Sequence, residues 1–120
     1  MPHITFEHTE NTTIDFQSFF KELAEQLVET GAVPKLGIKC RATSSKDYYI
    51  IDGNPDYKMV NLLFRLREGR SFEVRQKIAS IGMTLMEKYF KEEIKNKEII
   101  LSTEIKELIK ELDLTKNAVR

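Results

Sequence analysis

At 120 residues the chain fits one domain, and a chain of that size buries about 60–70% of its unfolded surface on folding, enough for one ordinary core. Lysine plus arginine number 19 and aspartate plus glutamate 19, so no global field draws the protein to nucleic acid or to an anionic membrane, and an anionic ligand must be caught by a local cluster. Polar residues His3, Glu7, His8 and Glu10 interrupt the start of the chain, and no apolar run approaches the ~18 residues of a membrane span, so a soluble, cytoplasmic protein is expected. The single cysteine, Cys40, can close no intrachain disulfide and has no neighbouring cysteine for a metal site, which suits a reducing compartment. It reads as a small buried strand residue.

In chain order, residues 3–9 open with the alternation of a half-buried strand: Ile4 and Phe6 lie on one side, His3, Thr5 and Glu7 on the other. Asp15 then stands as an N-cap, with Ile14 and Phe19 spaced as a hydrophobic staple. Phe16, Phe19, Phe20, Leu23 and Leu27 share one face of a helix over about 16–29, and Gly31 stops it. Period two returns over 35–43, with Leu36, Ile38, Cys40 and Ala42 on one face and Lys35, Gly37, Lys39, Arg41 and Thr43 on the other. Residues 44–56 form a connection in which Tyr48–Ile51 is a candidate extra strand before the turn signal Asp52-Gly53-Asn54-Pro55.

The order then repeats. Val60, Leu62, Phe64 and Leu66 alternate with Asn61, Leu63, Arg65 and Arg67 in a strand. Ser71 is the N-cap of a longer helix, with Glu73 in its first turn and an apolar stripe of Ile78, Ile81, Gly82, Leu85, Met86, Tyr89 and Phe90. Lys91–Glu98 reads as solvated helix surface. Ile99, Leu101, Thr103 and Ile105 line one face of a last strand, and the tail from Lys106 reads as a frayed end. The expectation is an α+β fold: one domain over 1–120 built from two fused βαβ units, residues 2–44 and 56–106, sharing a four-stranded mixed sheet. Right-handed crossovers put both helices on one face. The other face, carrying Met59 or Leu63 among polar groups, is then left bare and calls for burial against other copies in a closed homo-oligomer.

The opening Met1-Pro2-His3 is followed by Glu7, Asn11, Thr30-Gly31, Pro34, Gly37-Ile38, Arg41, Asp52-Gly53 and Asp56-Tyr57. Gly69-Arg70-Ser71, Glu73, Arg75-Gln76, Leu101-Ser102 and Glu104-Ile105 come next. In order and spacing, to about residue 112, this resembles the 5-carboxymethyl-2-hydroxymuconate isomerases of the tautomerase superfamily. The resemblance implies a homotrimer of fused βαβ repeats acting without a cofactor on polyanionic dienols of aromatic catabolism. A proton would move from the 2-hydroxyl to a distant carbon, giving the 2-oxo isomer.

The residue types suit that chemistry. A tautomerase needs a base whose pKa lies near the working pH. Loss of Met1 would leave Pro2 with a free secondary amine; an N-terminal amine titrates near ~8, and burial and nearby cations lower it further. The ring also fixes the direction of that amine. Substrate carboxylates and developing enolate charge call for fixed cations. Lys39 and Arg41, two apart on one strand face, and Arg70, in the turn before the second helix, are the candidates, with Pro2, Arg41 and Arg70 catalytic and Lys39, Arg41 and Arg70 binding substrate. Lys39 stands where the family pattern has arginine; it keeps the charge but loses the bidentate fork, which bears on substrate identity more than on reaction type. His3 and His8 lack metal-ligand spacing and read as surface or interface residues. Tyr48, Tyr49 and Tyr57 read as packing under a loop. Two alternatives stay open: a tautomerase of another enolised 2-oxo acid, and a catalytically silent oligomeric binding protein of the same fold.

Overall fold

The computed structural model describes residues 2–119. Strand β1 (His3–Thr9) leads into helix α1 (Phe16–Glu29) and strand β2 (Lys39–Ser45); β3 (Lys58–Arg67) leads into α2 (Phe72–Tyr89), the short α3 (Lys91–Lys95) and β4 (Ile99–Leu108). The sheet order is β2-β1-β3-β4. The β1 and β2 strands are parallel, as are β3 and β4, whereas β1 and β3 run antiparallel at the centre. The helix starts follow from local chemistry: the Asp15 carboxylate accepts from the Ser18 amide and the Ser71 hydroxyl from the Val74 amide, each satisfying a donor that the first turn leaves free. Gly31, at φ +77°, closes α1 in the left-handed conformation that glycine adopts without a Cβ clash.

Both long helices cover the same face of the sheet. Ile4 and Phe6 of β1, with Val60, Leu62, Phe64 and Leu66 of β3, share one core with Phe19, Leu23 and Leu27 of α1 and Ile78, Leu85 and Met86 of α2. Phe6 is its aromatic centre, with ring centroids 5.2 Å from Phe16 and Phe19, 6.4 Å from Phe20 and 6.2 Å from Phe90. Gly82 lets α2 lie close on the sheet, because a Cβ there would come within 2.9 Å of Leu62 and Phe64 side-chain carbons.

The opposite face carries Lys39, Arg41, Thr5, Glu7, Asn61, Leu63 and Glu104, by the register of the four strands. The Asn61 amide donates to Glu7 (3.2 Å) and Glu104 (2.7 Å), tying three strands across it. Met59 and Ile100 are exposed there, as the sequence alternation requires of a sheet covered on one side only.

Four expectations are corrected. Residues Lys35–Gly37 form one turn of 3-10 helix, not strand, closed by the Gly37 amide donating to the Pro34 carbonyl; Leu36 is consequently 60% exposed, and β2 begins only at Lys39. Proline contributes no amide donor to a ladder, so the chain enters the sheet after it has turned. Tyr48–Ile51 is no strand: Ile51 has φ +54°, the Gly53 amide reaches back to the Ile50 carbonyl, and Tyr49 is exposed against Gly53. His8 is buried, because its even position shares the helix-covered face with Ile4 and Phe6; its ring lies against Phe6 and Phe16, with Nδ1 donating to the Thr9 carbonyl. The tail is not frayed from Lys106, since β4 runs to Leu108 and the chain beyond it is tied down.

Candidate active site

The beginnings of β1 and β2 and the ends of β3 and β4 meet at one end of the sheet, as the parallel and antiparallel registers dictate. Pro2 heads β1 there. Its carbonyl accepts from the Lys39 amide at 3.1 Å, so the first residues of β1 and β2 are side by side. Pro2 is buried; Met1 lies outside the described residues, and with it the question of which group occupies the proline nitrogen. One step along, His3 lies opposite Lys39 on β2 and Arg65 on β3. The Arg41 guanidinium donates from Nη2 to His3 Nδ1 at 3.1 Å. The Lys39 ammonium turns back to the Gly37 carbonyl at 3.0 Å.

Arg70 is at the same end but is already committed: Nε donates to the Ala32 carbonyl (3.0 Å) and Nη1 to the Arg67 carbonyl (3.3 Å), stapling the turn after β3 to the turn after α1. Burial lowers its pKa, although a guanidinium remains charged at any pH of interest. Pro2, Lys39 and Arg41 are thus gathered at the start of β1 and β2, while in the single chain two of the Arg70 nitrogens serve backbone carbonyls.

Sequence reasoning missed two charged residues that the fold brings to this end of the sheet. Arg65, an alternating strand residue by pattern, faces His3 across the central strand pair. Asp113, in the supposed loose tail, receives Arg67 Nε at 3.0 Å on its carboxylate and Arg67 Nη2 at 2.7 Å on its carbonyl. The Arg67 hydrogen bond holds the Asp113 carboxyl below its usual range. Farther along, Asn117 donates to the Leu36 carbonyl at 2.7 Å, so the segment after β4 crosses this end of the sheet. It borders two open hollows: one of about 390 Å³, lined by the charged or titratable His3, Arg65, Glu107 and Asp113 together with apolar residues, and one of about 240 Å³ between residues 36–39 and 115–119. The only local signal for Arg65 was its shared face with the other cations, and nothing local marked Asp113.

One group is unsuited to chemistry here. Burial pushes the Cys40 thiol up to about 11, against the opposing pull of Arg41, so it is not a thiolate nucleophile at neutral pH. Among the described residues no three His, Cys, Asp or Glu side chains are grouped to hold a metal ion. Nor, among the described residues, is any helix long and apolar enough to cross a membrane.

A four-stranded mixed sheet with both long helices on one face is the fold of the tautomerase superfamily. The sequence profile of the 5-carboxymethyl-2-hydroxymuconate isomerases matches residues 2–120, and the chain belongs to that family. It is 30% identical over 121 residues to the 5-carboxymethyl-2-hydroxymuconate Delta-isomerase of Escherichia coli, covering 99% of this chain and 96% of the relative. The crystal structure of a 5-carboxymethyl-2-hydroxymuconate isomerase from Deinococcus radiodurans R1 superimposes with a TM-score of 0.88 at 27% identity, over 97% of this chain and 89% of the other. A fused 4-OT, described as an asymmetric trimer, shares the fold at a TM-score of 0.75 and 8% identity, over 96% of this chain and 93% of that one.

Proposed function

We propose that the protein ketonises 5-carboxymethyl-2-hydroxymuconate or a closely similar anionic dienol, with the amine of Pro2, freed by loss of Met1, as the base. The observation that carries the reading is the meeting of a buried, strand-heading proline with the cations Lys39 and Arg41 at the start of two parallel strands. The amine removes the 2-hydroxyl proton, the electron pair moves through the diene, and the same proton is returned to the carbon at its far end. The product is the 2-oxo isomer, and the base is regenerated without gain or loss of atoms or electrons. Arg41 holds a substrate carboxylate through its fork, and Lys39 and Arg65 add positive charge against the enolate that develops. Arg70 joins the substrate through the part of its guanidinium not bound to the Ala32 and Arg67 carbonyls. The family membership and the Escherichia coli relative's named activity support the substrate class.

The test is an ultraviolet assay of 5-carboxymethyl-2-hydroxymuconate ketonisation, on protein whose mass shows loss of Met1, with phenylenolpyruvate as the competing smaller enol. Faster turnover of the tricarboxylate is expected, and Arg41→Ala is expected to raise KM about 10- to 100-fold, as loss of a charge-assisted hydrogen bond of about 1.5–3 kcal/mol implies. Preference for phenylenolpyruvate would overturn the muconate assignment.

The assembly belongs to the same reading: a homotrimer in which the sheet faces carrying Met59, Leu63 and Ile100 are buried against other copies. The trimeric state of the fused 4-OT relative supports it. Native mass spectrometry should give three chain masses, and a monomer persisting at micromolar concentration would rule the trimer out.

A further inference from the structure

We propose that His3 is a positioning residue for Arg41: its Nδ1 accepts from the guanidinium and holds it toward the Pro2 end of the sheet, and protonation of the ring releases it. This rests on the reading of Arg41 as the carboxylate anchor. A guanidinium can only donate, so the 3.1 Å contact from Arg41 Nη2 requires His3 Nδ1 to be bare and its proton, if any, to sit on Nε2. The bond joins β1 to β2 on the face away from the helices, from side chains two steps apart in the parallel register. An arginine side chain has several rotamers of similar energy, and a single acceptor from the neighbouring strand selects one of them.

The surroundings keep the ring neutral. Burial first, then the charges of Lys39 and Arg41 from β2 and of Arg65 from β3, lower the His3 pKa below 6.5; Asp113, from the segment after β4, opposes them. The Asp113 carboxylate is itself engaged by Arg67. The sign follows: near neutral pH the acceptor is in place, and it is lost as pH falls through the depressed pKa. Acidification should therefore weaken substrate binding through His3, apart from any effect on the base.

The experiment compares wild type, His3→Gln and His3→Leu in kcat and KM for dienol ketonisation, from about pH 5 to about pH 8. The wild-type KM is expected to rise on the acid side more than kcat falls. His3→Gln, whose amide oxygen accepts from arginine and does not titrate, should keep the neutral-pH KM and flatten its acid rise. His3→Leu should show KM raised roughly tenfold throughout. Nitrogen-15 spectra of the wild-type His3 ring should show an unprotonated Nδ1 at neutral pH, shifting in Arg41→Lys. A protonated Nδ1, a His3→Leu KM equal to that of an active wild type, or an acid rise persisting in His3→Gln would overturn the proposal. A wild type without turnover would instead overturn the substrate reading. The ring spectra, together with the pH dependence of muconate dianion binding in wild type against His3→Gln, would then decide the role of His3.

Discussion

Replacing Pro2 with alanine is expected to lower kcat for dienol ketonisation by about 100-fold or more, within the range that general base catalysis contributes. The variant keeps an N-terminal amine once Met1 is removed, because alanine is also small. That amine is primary, freer to rotate, and no longer aimed by a ring at the end of β1. The fold should be untouched: what Pro2 contributes to the sheet is its carbonyl, which accepts from the Lys39 amide, and alanine has the same group. The measurement is steady-state kinetics beside a circular dichroism spectrum and an intact mass for each protein. A variant with wild-type kcat and no Met1 would remove Pro2 from the mechanism and return attention to the cations alone.

The largest effect on stability is expected from Phe6→Ala, at about 3–5 kcal/mol. Phe6 is 1% exposed and is packed against rings from both ends of α1's first two turns and against Phe90 after α2. Truncation removes its apolar surface from the core and leaves a cavity walled by the buried rings of Phe19 and Phe90 and the half-buried rings of Phe16 and Phe20. Three of those rings, Phe16, Phe19 and Phe20, are fixed on one helix and the fourth, Phe90, follows another, so they cannot close on the gap independently. Against a total stability of about 5–15 kcal/mol for a domain of this kind, such a loss is large. Urea denaturation at fixed protein concentration would measure it, since any assembly of copies makes stability depend on concentration. A loss under about 1 kcal/mol would mean that the aromatic cluster relaxes around the gap.

Most of the fold was legible because it rests on short-range chemistry. The alternation of Ile4 and Phe6, and of Val60, Leu62, Phe64 and Leu66, marks strands whichever partner they find. Asp15 and Ser71 mark helix starts because a side-chain oxygen three residues from a free amide serves it locally. The 3-10 turn at Lys35–Gly37 was hidden because its apolar residues happen to alternate, and because Pro34 acts by what it lacks. His8 was misplaced because a polar type was read before its position: its ring fits an aromatic pocket, and its Nδ1 reaches the Thr9 carbonyl.

The candidate site divides along the same line. Pro2, Lys39, Arg41 and Arg70 are candidates by type and spacing, and the family resemblance rests on residues distributed along the whole chain. No spacing could tell that Arg70 donates to Ala32, 38 positions away, or that Arg67 reaches Asp113, 46 positions away. Such contacts depend on where the crossovers deliver each strand end. By itself the sequence determined the four strands and two long helices, apart from the start of β2, together with the one-sided core, the family and the absence of a net field, since each follows from local pattern or from sums over the chain. Only the tertiary structure decided that His3 meets Arg41, that Arg65 joins them, and that the last residues cross the end of the sheet. Those pairings join residues distant in the chain, and their geometry exists only once the four strands are in register.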